Sequence, residues 1–312
     1  MKLTLITPSY NQAQYLSQTI GSVLASTRVP DEYFVIDGGS TDGSVEIIRQ
    51  YEKQLTTWVS EKDNGQADAI NKGIKMATGD VIGWLNSDDL ILPRTFELVL
   101  AAFEQNPEAA IVFGDALSID QDGETINIQR FAPYQLPDLM QFKIICQPTV
   151  FFRKSALDKA GLMDTNYHFL LDHHLWLRIA QHGKMIYLPQ TLAAARYHSL
   201  AKNIAQSAKF GKEAMRIVAW MQTDKSLSTL FEQRHKGILG GAYALDGYYQ
   251  LEAKNFAAGL RAYSKAIISQ PSVLPKELKH IVYGILGVVG LDQLKTWYKQ
   301  QRKRKYEQNK IN

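Results

Sequence analysis

Apolar residues recur along the first 115 positions in two alternating rhythms. Leu3-Thr4-Leu5-Ile6 is the short apolar run of a buried strand. Tyr15, Leu16, Ile20, Val23 and Leu24 then fall three and four apart, which predicts a helix over 12–26. Tyr33-Phe34-Val35-Ile36 predicts a second strand, and Asp42-Gly43-Ser44 opens a helix that runs to 51. Thr57-Trp58-Val59, a helix over 66–77 and Val81-Ile82-Gly83-Trp84-Leu85 continue the alternation. A helix follows Pro93, a residue suited to a first turn, and Ala109-Ala110-Ile111-Val112-Phe113-Gly114 is a fifth strand. Strands without a polar face, separated by helices, predict an α/β fold with a mostly parallel sheet covered by helices.

Beyond this the rhythm loosens. Residues 116–150 are less regular, with an Asp122-Gly123 turn between two strand-like pieces. Residues 172–182 predict a helix with Leu175, Trp176 and Ile179 on one face, and 184–198 are extended. From about 203 the pattern is helical almost throughout. The expected domains are therefore 1–205 and a helical region over 206–312. Within the second, Tyr243, Gly247, Gly259, Tyr263, Ala266 and Pro271 fall at the spacing of one tetratricopeptide unit, without a second copy. A single helical hairpin cannot bury its own face, so packing within its own domain and docking of a partner are both open.

Composition narrows the classes. A chain of 312 residues with 45% hydrophobic and 21% charged residues has the make-up of a globular protein. Its one cysteine, Cys146, excludes an intrachain disulfide and a multi-cysteine zinc site, and suits a reducing compartment. The net charge of +4 is concentrated at one end: residues 293–312 carry seven basic side chains against Glu307. The body is left slightly acidic, which argues against a nucleic-acid-binding face. Pro8-Ser9-Tyr10-Asn11 interrupts the apolar start, so no signal peptide is expected. The longest apolar run, 281–291, would cover about 16 Å as a helix, short of a bilayer core. The apolar, glycine-spotted stretch 275–291 and Arg302-Lys303-Arg304-Lys305 suit either an anionic membrane surface or a buried helix with a solvated tail.

Parallel sheets bind ligands beyond the carboxyl ends of their strands. Polar groups collect there. Asn86-Ser87-Asp88-Asp89 places two adjacent carboxylates after a buried strand, an arrangement that suits a hard divalent cation, or an N-cap before the Pro93 helix. Asp37, directly after the second strand, can accept from a base or ribose, or form a turn with Gly38 and Gly39. Asp68, Asn71 and Lys72 share a helix face. The glycines after Asp37 form neither a P-loop nor a dinucleotide fingerprint, and the segment lacks a Gly-x-Ser-x-Gly elbow. His173 and His174, neighbours on a helix, point about 100° apart and do not suit one metal ion. Asp172 can serve as a proton acceptor or as an N-cap.

Thr7-Pro8-Ser9-Tyr10-Asn11, Val35-Ile36-Asp37-Gly38-Gly39-Ser40-Thr41-Asp42, Asp68-Ala69-Ile70-Asn71-Lys72-Gly73 and Asn86-Ser87-Asp88-Asp89, in that order and spacing, resemble a family 2 glycosyltransferase of the GT-A fold. The likeness covers about residues 1–200. Gln147-Pro148-Thr149-Val150-Phe151-Phe152-Arg153 and Leu175-Trp176-Leu177-Arg178 extend it through the acceptor half. By this resemblance Pro8, Tyr10, Asp37 and Asp68 would contact the nucleoside, with Asp63 near the base. Asn86-Ser87-Asp88 would be the metal-binding triplet with Asp88 the ligand, and Asp89 would support the loop. The first triplet position is usually aspartate in the family; here it is Asn86. Asp172 would be the general base, His198 would meet the diphosphate or the metal, and Lys202 would reach a phosphate. Cys146 would be a packing residue.

The resemblance implies an inverting enzyme dependent on Mn²⁺ or Mg²⁺. It would move one sugar from a nucleotide-diphosphate sugar, with uridine favoured, to a saccharide or lipid-linked saccharide. Synthesis of a surface or capsular polysaccharide, in the cytoplasm or on the inner face of the membrane, would follow. A sugar nucleotidyltransferase would need a basic glycine-rich loop after the first strand, which is absent. An adaptor with a degenerate domain would have no use for Asp37, Asp68, Asp88 and Asp172 together.

Overall fold

The computed structural model describes residues 1–198, 206–291 and 293. The chain divides into two compact units. The first comprises 1–139 and 144–198; the second comprises 140–143 and the chain from 199 onward.

The first unit alternates as its apolar pattern requires. Its strands and helices begin β1 (Leu3–Ser9), α1 (Ala13–Leu24), β2 (Glu32–Asp37), α2 (Ser44–Gln50), β3 (Thr57–Ser60), α3 (Gln66–Met76) and β4 (Val81–Trp84). They continue β5 (Leu90–Ile91), α4 (Thr95–Gln105), β6 (Ala109–Ile119), β7 (Thr125–Gln129), α5 (Leu136–Met140), β8 (Phe151–Arg153), α6 (Lys154–Ala160), α7 (Leu171–Ile179) and β9 (Lys184–Arg196). One sheet takes all nine strands in the order β3-β2-β1-β4-β8-β6-β9-β5, with β7 on β6. Six strands run one way. β5, β7 and β8 run against them, since β8 is antiparallel to both β4 and β6, β5 to β9, and β7 to β6.

The expected α/β fold with a mostly parallel sheet is what forms. β1 and β2 are buried at every position, as central strands are. Leu3, Leu5, Leu16, Ile20, Val35, Phe96 and Phe103 belong to one core that α1 and α4 close from outside. Close approach of α3 to the sheet depends on Gly73, where a Cβ would stand 2.6 Å from Ile6. Pro8 sits inside β1, a position that denies the ladder an N–H. It is tolerated because β1 pairs with β4 only as far as Ile6, while Pro8 pairs with Ile36 on the other side. The divergence of β4 there opens the carboxyl edge of the sheet.

The second unit is helical: α8 (Phe210–Thr223), α9 (Ser228–Glu252), α10 (Phe256–Ser269) and α11 (Val273–Val288). Of the tetratricopeptide-like positions, Gly247, Gly259, Tyr263 and Ala266 lie on the facing sides of α9 and α10, while Pro271 follows α10 and is exposed. Gly247 admits Tyr263, and Gly259 admits Leu251, with prospective Cβ contacts of 2.8 and 2.5 Å. Tyr263 and Ala266 are buried in that seam. The two helices of the hairpin pack against each other within their own unit.

Candidate functional site

β2, β1 and β4 lie side by side and parallel, so their carboxyl ends form one row: Asp37, then Ser9-Tyr10, then the loop from Leu85 to Asp89. Strands about 4.8 Å apart make that row about 10 Å wide, the scale of a nucleoside diphosphate.

The loops at the β1 and β2 ends are tied together. Asn11 takes a left-handed φ of 51°, which asparagine tolerates. Its N–H donates to Ser40 Oγ at 2.8 Å, and its Oδ1 accepts from Thr41 N at 3.0 Å. Asp37 is buried. It accepts from Gly39 N, Ser40 N and Ser60 Oγ on one oxygen and from Ser40 Oγ on the other, at 2.5 to 3.0 Å. Three of these bonds shape the Gly38–Ser40 loop, and the fourth ties it to β3. Tyr10, by contrast, is 61% exposed above the row, and Pro8 is buried in the strand beneath it. Asp68, in the first turn of α3, accepts from Asn64 N at 3.0 Å. Asp63 lies against Gly38, where a Cβ would meet its Oδ2 at 2.6 Å.

The β4 loop holds the charged centre. Asp88 Oδ2 lies 3.0 Å from His198 Nε2, across 110 positions of sequence. His198 is 7% exposed, and its ring packs on Tyr15 with centroids 5.0 Å apart. Asp89 turns inward: Oδ1 accepts Arg196 N at 2.9 Å, Oδ2 accepts Asn86 Nδ2 at 3.2 Å, and its carbonyl takes Thr19 Oγ1. It supports the loop. Burial and the Asp88 charge push the Asp89 carboxyl well above the usual carboxylate range. Neither Asp88 nor Asp89 caps a helix, because α4 begins at Thr95 with Arg94 at its N-cap.

Arg196 is the residue whose importance the sequence understated. β9 lies between β6 and β5 rather than at an edge of the sheet, and Arg196 is buried. Its Nε donates to the Asp88 carbonyl at 2.8 Å, Nη2 to Gln18 Oε1, and Nη1 to the carbonyls of Asp120 and Gln121. Its guanidinium stands 4.7 Å over the Tyr15 ring. One side chain thus fixes the backbone of the β4 loop at Asp88, and its place two positions before His198 is the local signal in the sequence.

Asn86 sits in a chain of side-chain amides. Its Oδ1 accepts Gln66 Nε2 at 2.8 Å, and its Nδ2 also donates to Gln147 Oε1 at 2.9 Å; Gln147 Nε2 donates in turn to the Trp84 carbonyl. Nothing in the sequence paired Gln66 or Gln147 with this loop. The asparagine is required by its partners, since an aspartate would face Asp89 Oδ2 and Gln147 Oε1 with no proton to share. Asn86→Asp is therefore expected to cost about 1–3 kcal/mol in urea unfolding without divalent ions. The added carboxyl would be held above its unfolded value, so the loss should grow from pH 5 to pH 8. Ser87, the next residue in the loop, is buried.

Asp172 lies in the first turn of α7, whose N-cap is Leu170, so the capping role is not its own. Its Oδ1 accepts His173 N at 2.7 Å. The helix is anchored by Trp176 stacked on Trp84 at 6.3 Å, and Asp172 is the half-exposed residue among buried neighbours. Burial pushes the Cys146 thiol up, and the charges of Asp89 and Asp172 push it further, so both carboxylates act on the same point. His173 is buried, its Nε2 lies 2.9 Å from the Leu139 carbonyl, and burial lowers its pKa to about 4. His174 stacks on Tyr167 at 4.2 Å. The two histidines face different surroundings. Lys202 and the basic cluster at 302–305 lie outside the described residues.

Among the described residues no group of three or more histidine, cysteine or acidic side chains is arranged to hold a metal. Asp88 and His198 offer one carboxylate and one imidazole. That donor set fits a divalent ion whose remaining ligands are diphosphate and water oxygens, and the imidazole favours Mn²⁺ over Mg²⁺. The crowding of Asp88 against Asp89 is what a cation would relieve.

Fold and edge together define a class of α/β proteins that gather polar and acidic groups at the carboxyl ends of a mostly parallel sheet. The model described as Glycosyl transferase family 2 matches residues 4–161, and the chain belongs to that family: it is a glycosyltransferase. An uncharacterized glycosyltransferase of Nostoc sp. is 28% identical over 228 residues, 69% of this chain and 70% of the relative. TuaG of Bacillus subtilis, a candidate teichuronic acid biosynthesis glycosyltransferase, is 29% identical over 66% of this chain and 84% of its own. The match to an uncharacterized glycosyltransferase of Rickettsia bellii spans 33% of that protein's length. Among solved structures, S. aureus TarS 1-349 in complex with UDP-GlcNAc gives a TM-score of 0.59 at 16% identity, covering 87% of this chain and 92% of that one. The mannosyltransferase PcManGT from Pyrobaculum calidifontis, in complex with GDP-Man and Mn²⁺, gives 0.60 at 19% identity, covering 93% and 86%. The GT-A fold is shared with both. Among the described residues no helix is long and apolar enough to cross a membrane.

Proposed function

We propose that the chain moves one sugar, with inversion, from a uridine-diphosphate sugar to a hydroxyl of a saccharide or lipid-linked saccharide. The observation that carries this reading is the Asp88–His198 pair at 3.0 Å in the same row of strand ends as Tyr10 and the Asp37 loop. The nucleoside would lie over that row. Tyr10 and Asp68 would touch it, Pro8 and Asp37 would shape its floor, and Asn86 and Ser87 would hold the triplet loop.

Asp88 and His198 would hold the divalent ion, which when bound neutralises charge on the diphosphate. Asp172 would take the proton of the acceptor hydroxyl as that oxygen bonds to the anomeric carbon. The bond from that carbon to the diphosphate oxygen breaks, and its electron pair leaves with the nucleoside diphosphate. One displacement inverts the centre. The relative TuaG, and TarS with its UDP-GlcNAc, support a surface-polysaccharide acceptor and a uridine donor. A chain with one cysteine suits the reducing cytoplasm, and we place the reaction there.

The test is thermal stabilisation by uridine, guanosine, cytidine and thymidine diphosphates, each with and without Mn²⁺. A ligand at 100 times its Kd should add about 2.7 kcal/mol. The uridine nucleotide should shift the melt, and more with Mn²⁺. A shift with another base alone would reassign the donor; no shift with any would overturn the reading.

A further inference from the structure

Helix α1 is fixed at its start and along one face. At its start, Gln12 N donates to Ser44 Oγ at 3.0 Å and Ala13 N to Asp42 Oδ2 at 2.9 Å, both in the segment after β2. Tyr15, Gln18, Thr19 and Ser22 are three and four apart and share a face. That face grips the loop after β4 and its surroundings. Gln18 Oε1 accepts from Arg196 Nη2 at 2.9 Å, Thr19 Oγ1 donates to the Asp89 carbonyl at 2.8 Å, and Ser22 Oγ accepts from Ile91 N at 3.1 Å. These three bonds hold backbone and the arginine clamp. Tyr15 is the member of the face that meets His198.

Tyr15 is buried and works through its ring. The Arg196 guanidinium stands 4.7 Å from the ring centroid, and the His198 ring lies 5.0 Å away, tilted by 48°. Arg196 needs no help from Tyr15, since its guanidinium already donates to Asp88, Asp120, Gln121 and Gln18. His198 is held less firmly. Among the described residues its one hydrogen-bond partner is Asp88, at Nε2, and Nδ1 has none. A metal-binding histidine ordinarily bonds its other ring nitrogen to a carboxylate or carbonyl, which fixes the rotation of the ring. The last torsion of a histidine is otherwise broad. In this chain the packing on Tyr15 stands where that second bond would be. A nitrogen whose lone pair faces an ion no longer donates a proton to Asp88, so the Tyr15 contact is then the one left on the ring.

We propose that Tyr15 is the positioning residue for His198, holding the imidazole so that Nε2 faces the Asp88 side. The inference rests on the reading of Asp88 and His198 as the holders of a divalent ion.

The test is titration of the full chain with Mn²⁺ in the presence of saturating UDP, followed by electron paramagnetic resonance, beside UDP affinity measured in a chelator. Tyr15→Leu should weaken Mn²⁺ binding by about tenfold or more and leave the chelator value unchanged. Tyr15→Phe, which keeps the ring, should bind Mn²⁺ as the parent does. In a His198→Ala background Tyr15→Leu should add no further loss, because the ring acts through the imidazole; a merely structural role would add its loss there too. Should Tyr15→Leu lack the parent's cooperative melt, Tyr15→Met, which fills more of the space without a ring, takes its place. Full Mn²⁺ affinity in the ringless variant, an equal loss in Tyr15→Phe, or a further loss in the His198→Ala background would each overturn this inference alone. Unchanged Mn²⁺ binding by His198→Ala, or none by the parent, would overturn the metal reading and this inference with it.

Discussion

Asp172→Asn is expected to lower kcat by about a hundred- to ten-thousand-fold while leaving the donor KM nearly unchanged. The loss follows from the step Asp172 is assigned. A carboxylate accepts the hydroxyl proton in the transition state, and a carboxamide of the same shape does not. The folded state should tolerate the change. Asn Oδ1 can still accept the His173 N–H, and α7 is held by Trp176 on Trp84 rather than by Asp172. The check is initial-rate kinetics with donor varied at saturating acceptor, beside nucleotide titration by calorimetry. A variant that turns over at the parent rate, or loses nucleotide affinity in step with kcat, would remove Asp172 from the role of base. Cys146 is not a substitute base. Its buried thiol is pushed toward the protonated form by burial and by Asp89 and Asp172.

Asp88→Ala should be as severe, with a different signature. The substitution removes the carboxylate 3.0 Å from His198 and leaves that buried imidazole without its acidic partner. The loop itself should stay in place, because Arg196 holds it through the Asp88 carbonyl and Asp89 through its own side chain. Transfer should fall by about a thousandfold or more, the scale of losing charge stabilisation at a leaving group. Mn²⁺-dependent stabilisation by nucleotide should disappear with it, while any metal-independent nucleotide binding through the Tyr10 side persists. Measuring nucleotide affinity with Mn²⁺ and with a chelator separates the two contributions. Unchanged Mn²⁺ dependence in the variant would show that the ion is held elsewhere.

Much of this fold could be read from local pattern. Buried strands show as short continuous apolar runs and helices as a 3.6-residue repeat, and that difference is written residue by residue. The pattern therefore placed β1 to β4, β6 and the helices between them within a few positions, and it put Asp37 and Asn86-Ser87-Asp88 directly after strands and Asp172 at the start of a helix. It did not reveal β8 or β5. Phe151–Arg153 and Leu90–Ile91 are too short to show a period, and they exist as strands only because β4, β6 and β9 offer them partners.

What the tertiary structure alone decided is which groups meet. Asp88 and His198 are 110 positions apart, and only the course of β9 through the sheet brings them to 3.0 Å. The same course buries Arg196 and makes it the clamp of the triplet loop. Asp37 reads in sequence as an acceptor for a ligand or as a turn residue, and its four hydrogen bonds come from backbone and hydroxyl groups that fold around it. Asn86 reads as a departure from an aspartate, and its reason is three side chains from three separate segments. On α11, apolar on most of its circumference, the sequence cannot say which side is inward. Gly284 and Gly287 settle it by admitting neighbouring side chains on their side, and so determine which residues are left facing out. A sequence fixes the local conformations that sterics and periodicity allow. Contacts between distant side chains depend on the path of the chain through three dimensions, and the chemistry of this edge is made of such contacts.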